Sequence, residues 1–297
     1  YSYPISSQVT YVQRYFDQSM VLAFAFNHAE SIRSFRAAQT LDPNCAICFW
    51  GEALATGPNI NVTSKGKVIM SPEERVASYA AIQKAISLKQ FASEKEEALI
   101  DALSTRYNGE AGTPREPLDQ AWAAAMEEVV SAYPGDATIA SIYSEALMNT
   151  MPWNYWSDDL TAKPETQKVI DTLEGALENS PDHPLALHLY IHAMEASSTP
   201  ERAEVAADRL ANLVPGAGHL VHMPAHIYYR IGRYNDAVLA NVRAADVDEA
   251  YIEACNAQGF YPALYYPHNI HFLWSAATMQ GQKALSIRSA RRVADNV

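Results

Sequence analysis

The sequence predicts an all-α chain of antiparallel helix hairpins, and three observations carry that prediction. Apolar residues recur at helical spacing: Phe35, Ala38 and Leu41 follow Ile32, and Ala121, Ala125 and Val129 follow Leu118. Breakers stand where helices should stop, at Pro43, Pro58, Pro72, Pro114, Pro134, Pro164, Pro181, Pro200 and Pro215. Strand-like alternation is scarce. The stretches between prolines suit helices of about 12 to 18 residues joined by short turns.

Composition sets the outer limits. With 297 residues, 48% hydrophobic and 19% charged, the chain can bury a large core. A net charge of −12 argues against nucleic acid as a partner, because little would neutralise a phosphate backbone. The basic cluster Arg288, Arg291 and Arg292 reads as a solvated helix face. No apolar run approaches the roughly 20 residues that span a bilayer. The opening YSYPISS has neither the apolar core nor the basic start of a signal peptide, and a start at Tyr1 reads as a processed or trimmed end.

Cys45 and Cys48 form a C-x-x-C, and Cys255 stands apart. Spacing leaves a disulfide, a thiol pair or half a metal site open for the pair. An Asn61-Val62-Thr63 sequon is also present. Processing and oxidised thiols together favour a secreted or periplasmic protein over a cytoplasmic one.

Taken in order, the hairpins repeat. SIRSFRAAQTLDP (residues 31–43) superposes on AEVAADRLANLVP (residues 203–215), matching Ser31 to Ala203, Phe35 to Ala207 and Ala38 to Leu210 before the proline. Trp122, Met126, Val129 and Pro134 keep the same spacing, and RIGRYNDAVLANVRAAD gives a further copy through Gly232, Tyr234, Ala237 and Ala244. Small residues let paired helices approach, and each proline stops the second helix.

On these residues the chain resembles the tetratricopeptide repeat superfamily, as a divergent, histidine-rich member of bacterial type. That unit is a helix–turn–helix of about 34 residues. The resemblance is good over residues 13–43, 118–134, 184–215 and 218–249. It departs at the long connections 57–72 and 148–164 and at the short turn 281–284. It implies one α-solenoid domain over 1–297, a right-handed superhelix with N-terminal hairpins in 1–150 and histidine-rich hairpins in 165–297. The first helix of each pair would line a concave binding groove. The last helix, from Gln282, reads as a cap, an interface or the stump of a longer array.

Eight of the nine histidines fall between His183 and His271, where uniform scatter would place about three. At about 100° per residue, His188, His192 and Glu195 lie within about 60° of one another, and His268 and His271 are about 60° apart. His219, His222 and His226 share an arc if their helix is continuous. Pro224 opposes that continuity, because it lacks an N–H and clashes with the preceding turn.

In the repeat frame these side chains take groove-lining places on three successive first helices. Imidazoles one turn apart can reach one ion, and imidazole with carboxylate suits zinc, copper, nickel or iron. The expected ligands are therefore His188, His192, Glu195, His222, His226, His268 and His271, with Glu195 a ligand or an orienter of ligands. Seven groups exceed four-coordination, so some should support others or serve a second ion. Glu52, Glu145, His219, Tyr228 and Tyr266 are expected as groove or supporting residues, and His28 as a cap or packing group. The aromatic segments 151–159 and 258–269 suit lids, contact patches or packing.

These features predict a binding or scaffold protein whose partner is a protein, a peptide or a second copy, with a groove lined by His and Glu that is either a transition-metal site or a metal-free polar surface. The alternative is a metal-free structural or self-assembling module. A metal-dependent enzyme comes third, because no Ser-His-Asp order, phosphate-cradling loop or H-E-x-x-H helix is present.

Overall fold

The computed structural model describes residues 1–62 and 70–295. Thr63 of the sequon and much of the 57–72 connection lie outside them. Among the described residues the chain is all-α, apart from one β-bridge between Trp156 and Ala162. It divides into two compact units, Tyr1–Ser157 with Ala162–Ala186, and Asp158–Thr161 with Leu187–Val297.

The first unit holds α1 (Thr10–Phe24), α2 (His28–Leu41), α3 (Ala46–Thr56), α4 (Pro72–Ser87), α5 (Glu94–Ser104), α6 (Arg115–Ala132), α7 (Ala137–Thr150) and α8 (Pro164–Asn179). Consecutive helices pack on one another: α1 on α2, α2 on α3, α3 on α4, α6 on α7 and α7 on α8. This is the hairpin succession that the prolines predict. Local chemistry sets the ends. Ser71 and Ser93 open α4 and α5 with capping boxes to Glu74 and Glu96, and Asp136 accepts from the Thr138 and Ile139 N–H groups to open α7.

The core of this unit is aromatic. Phe16 and Phe35 meet edge to face at 5.7 Å, and Trp50 donates its indole N–H to the Leu99 carbonyl at 3.0 Å. Removing such a side chain from water contributes roughly 1.5–3 kcal/mol each. Gly51 admits Phe35 because a Cβ there would overlap the ring. Cys45 and Cys48 are joined in a disulfide at the start of α3.

The boundary between the units falls inside α9 (Pro184–Met194). The second unit continues with α10 (Glu204–Leu210), α11 (Gly218–His222), α12 (Pro224–Arg230), α13 (Tyr234–Cys255), α14 (Tyr266–Met279) and α15 (Lys283–Asp295). α13 is the spine: α11, α12 and α14 all pack on it, and α15 packs on α14. Its small buried residues Ala237, Ala240, Ala244 and Ala245 permit that crowding.

The segment 258–269 is helical from Phe260 onward. Tyr261–Tyr265 form a π-helical turn that runs into α14, and Tyr261 and Tyr265 are buried. In segment 151–159, Tyr155 is buried and Trp153 is exposed. No described helix is long and apolar enough to cross a membrane.

Candidate metal centre

The histidines of the second unit come from three places, each fixed by local sequence. Pro184 opens α9, where a missing N–H costs nothing, and His188 and His192 follow one turn apart. Pro224 divides α11 from α12 but does not turn the chain. Met223 keeps right-handed helical angles (φ −49°, ψ −39°), and its N–H still bonds the His219 carbonyl at 3.0 Å. His219, His222 and His226 therefore share one face after all. His268 comes from the first turn of α14.

α11 itself is pinned from behind. Asp248 of α13 accepts from the Tyr261 hydroxyl at 2.8 Å and from Asn269 Nδ2 at 2.7 Å. The same Tyr261 oxygen accepts the His219 backbone N–H at 3.1 Å. A Cβ on Gly218 would overlap the Asp248 carboxylate, so only glycine lets α11 start there. Burial pushes the Asp248 carboxyl up to about 6, against the hydrogen bonds from Tyr261 and Asn269.

Six imidazoles gather into two sets, His188, His192 and His219 in one and His222, His226 and His268 in the other. Within each set, one ligand nitrogen per residue lies within 4.8 Å of the others. His222 Nε2 is 2.9 Å from His226 Nε2 and 3.1 Å from His268 Nε2. Four-coordinate zinc with bonds of 2.0–2.1 Å would hold its ligand nitrogens about 3.3 Å apart, so this set needs only a small expansion. In the other set, the His188 ring centre lies 4.9 Å from that of His192 and 5.0 Å from that of His219. All six are buried except His268, which is half-buried.

Proton placement can be read from the partners. Asn241 Nδ2 donates to the Ala237 carbonyl at 2.7 Å, which turns its Oδ1 toward His222 Nδ1 at 2.6 Å. An amide oxygen only accepts, so His222 carries its proton on Nδ1 and keeps a lone pair on Nε2. Glu195 does the same twice: Oε1 faces His192 Nδ1 at 3.3 Å, and Oε2 contacts His226 Nδ1.

The Nε2 lone pairs of His222 and His226 consequently face each other at 2.9 Å. At that distance the two nitrogens must share a proton or another cation. Burial, then His226 and His268, hold His222 well below its ordinary value, and burial with His226 and His192 takes His268 to about 3. Burial and the neighbouring His188, His222 and His192 also hold His219 well below. Burial alone would raise Glu195, but His226 and His192 hold its carboxyl well below the usual carboxylate range.

Several sequence expectations require correction. His271 does not join the cluster. The buried face of α14 is Tyr266, Asn269, Ile270, Leu273, Ala276 and Ala277, and His271 lies about 100° past Ile270. It is exposed and lies beside Trp274, with the two rings tilted and their centres 5.3 Å apart. His219, expected only in support, stands among the six. Glu195 touches ring nitrogens on the Nδ1 side, the place of an orienting carboxylate.

The remaining groove residues also lie elsewhere. Glu52 accepts from Arg36 Nε at 2.8 Å and Gln39 Nε2 at 2.7 Å within the first unit. Glu145, in the same unit, is pushed up to about 7 by burial, against the pull of Arg106. Tyr228 donates to Asp208 at 2.7 Å beneath the Arg233 guanidinium, and Tyr266 donates to Glu249 at 2.6 Å. His28 opens α2, with its ring 3.4 Å from Asn59 Nδ2, and His183 bonds Thr138 at 3.0 Å.

Four residues with a part in the cluster carry no sequence signal of it. Asn241, Asp248 and Tyr261 act through hydrogen bonds across the fold. Phe272 packs against His222 and His226 at 5.0 and 4.5 Å.

No protein-family model matches the chain, and no curated protein matches it. Among solved structures, the chain is similar to one described as a human IFIT1 dimer with PPP-AAAA. That match has 9% identity and a TM-score of 0.41, covering 91% of this chain and 69% of that one. A likeness of that degree carries no argument about chemistry or partners.

Proposed function

We propose that this protein is a helical-hairpin scaffold whose second unit binds a transition metal through its histidine cluster. One observation carries the reading: the Nε2 atoms of His222, His226 and His268 converge, while Asn241 and Glu195 occupy the opposite nitrogens of two of those rings. Neutral imidazoles with fixed tautomers are ready ligands, and the carboxylate–histidine pairing is the usual outer support of a metal site. An all-imidazole set suits zinc, copper, nickel or iron and leaves hard, oxygen-seeking calcium or magnesium poorly served.

The Cys45–Cys48 disulfide supports a secreted or periplasmic setting, where such bonds persist. Exposed Trp153, Phe260 and Trp274 suit contacts with a protein, a peptide or a second copy.

Elemental analysis of protein purified without added metal tests the reading. We expect close to stoichiometric transition metal, lost in His192→Ala/His226→Ala with helicity retained. Substoichiometric metal throughout, with no uptake on titration, would leave the metal-free structural module in its place.

A further inference from the structure

The two imidazole sets are neighbours. His192 of one lies 5.4 Å, ring centre to ring centre, from His226 of the other, and His219 lies 5.8 Å from His222. Glu195 spans them, one oxygen toward each set. Six inward rings are more than one ion takes, since imidazole-bound sites of these metals commonly hold four ligands. Three protein ligands per ion leave a fourth position open, as in zinc sites that bind water or substrate.

Charge completes the argument. Two divalent ions bring four positive charges, the six imidazoles are neutral as ligands, and Glu195 returns one negative charge. An excess of about three charges in a largely buried site is costly unless an anion joins it. The open positions supply the place, and proximity of the sets lets one anion serve both. Of the six rings His268 alone is half-buried, beside half-buried Phe272 with ring centres 5.3 Å apart, so this is the least covered side of the cluster.

Resting on the metal-binding reading above, we infer that the sets hold a pair of ions, one each, bridged by a small exogenous anion. The ligand class is hydroxide or a small anion of that kind, entering past His268. Nothing is oxidised or reduced on binding; water supplies the hydroxide and releases one proton. Glu195 is a positioning residue, holding one ring of each set in register.

Cobalt(II) is the probe. The full chain, stripped with chelator and titrated with cobalt(II), should saturate its visible absorption at two equivalents, and azide should then shift the bands at about one azide per pair. His188→Ala and His268→Ala should each retain one equivalent, and both should lose the one-azide-per-two-ions stoichiometry.

Saturation of the unaltered chain at one equivalent overturns the pair and leaves the metal-binding reading standing; no uptake at all overturns both. If either variant loses helicity, the unaltered chain loaded with copper(II) decides. A spin signal well below the copper content supports bridged ions, and a signal equal to it overturns the bridge.

Discussion

Replacing Glu195 by glutamine removes one charge and almost no volume. The carboxylate gives an acceptor to each of two rings, His192 Nδ1 at 3.3 Å and His226 Nδ1 in closer contact. An amide has one acceptor and one donor, so only one ring keeps its partner. The other meets an NH₂ group, and its imidazole must move its proton to Nε2, which removes the ligand lone pair. Loss of an outer partner of this kind costs metal affinity 10–100-fold, about 1.4 to 2.7 kcal/mol.

Because the two rings belong to different sets, at least one ion should bind in that weaker range while helicity is kept. Competition against a chromophoric chelator at fixed pH reads the affinity directly. A change of less than about threefold would refute the account of Glu195 as the acceptor that fixes both tautomers.

Three further outcomes follow from the same geometry. Gly218→Ala drives a methyl into the Asp248 carboxylate, which Tyr261 and Asn269 hold in place, so urea unfolding should show a loss of about 1–3 kcal/mol, with weaker metal binding. Unchanged stability would mean that α11 is not seated as described. His271→Ala should leave metal affinity within twofold, since its ring is exposed near Trp274; a tenfold loss would restore it as a ligand.

His183 supplies a pH dependence away from the cluster, because burial lowers its ring to about 4. Above about pH 6.5 both folded and unfolded chains carry it neutral, and its contribution is fully present. As pH falls from about 6.5 toward about 4, the unfolded chain takes up a proton that the folded chain refuses, and stability is lost. Between pH 7.5 and 5 the loss is about 2 kcal/mol. His183→Gln should flatten that part of the acid limb in urea titrations of metal-free protein; an unaltered acid limb would contradict the assignment.

The helical architecture was legible because its causes are local. Prolines 43 and 134 follow the ends of α2 and α6 as the chain predicts, whereas Pro72 and Pro164, read there as stops, open α4 and α8; Ser71 and Ser93 cap where an N-cap residue should stand. His188 and His192 were legible for the same reason: one turn of α9 fixes their relation whatever else folds around it. Pro224 misleads only if its cost is applied to the chain's direction. Helical angles at Met223 carry the phase through the break, and so His219 joins His188 and His192.

What the sequence hid depends on contacts across long separations. A π-helical turn at Tyr261–Tyr265 runs into α14, on which His268 joins the cluster and His271 is exposed, and spacing alone foretells neither. Asn241 and Asp248 sit on a 22-residue helix whose pattern says only that one side is small and buried. Their work is visible only once α11 lies against them. The separation of six rings into two sets is likewise a property of packing, with no counterpart in spacing.

X-ray absorption at the metal edge of the loaded protein tests the central claim most directly. We expect a first shell of nitrogen and oxygen near 2.0–2.1 Å for zinc, with the multiple-scattering signature of about three imidazoles per ion and no sulfur. A shell containing sulfur, or one dominated by oxygen with fewer than two imidazoles, would contradict it.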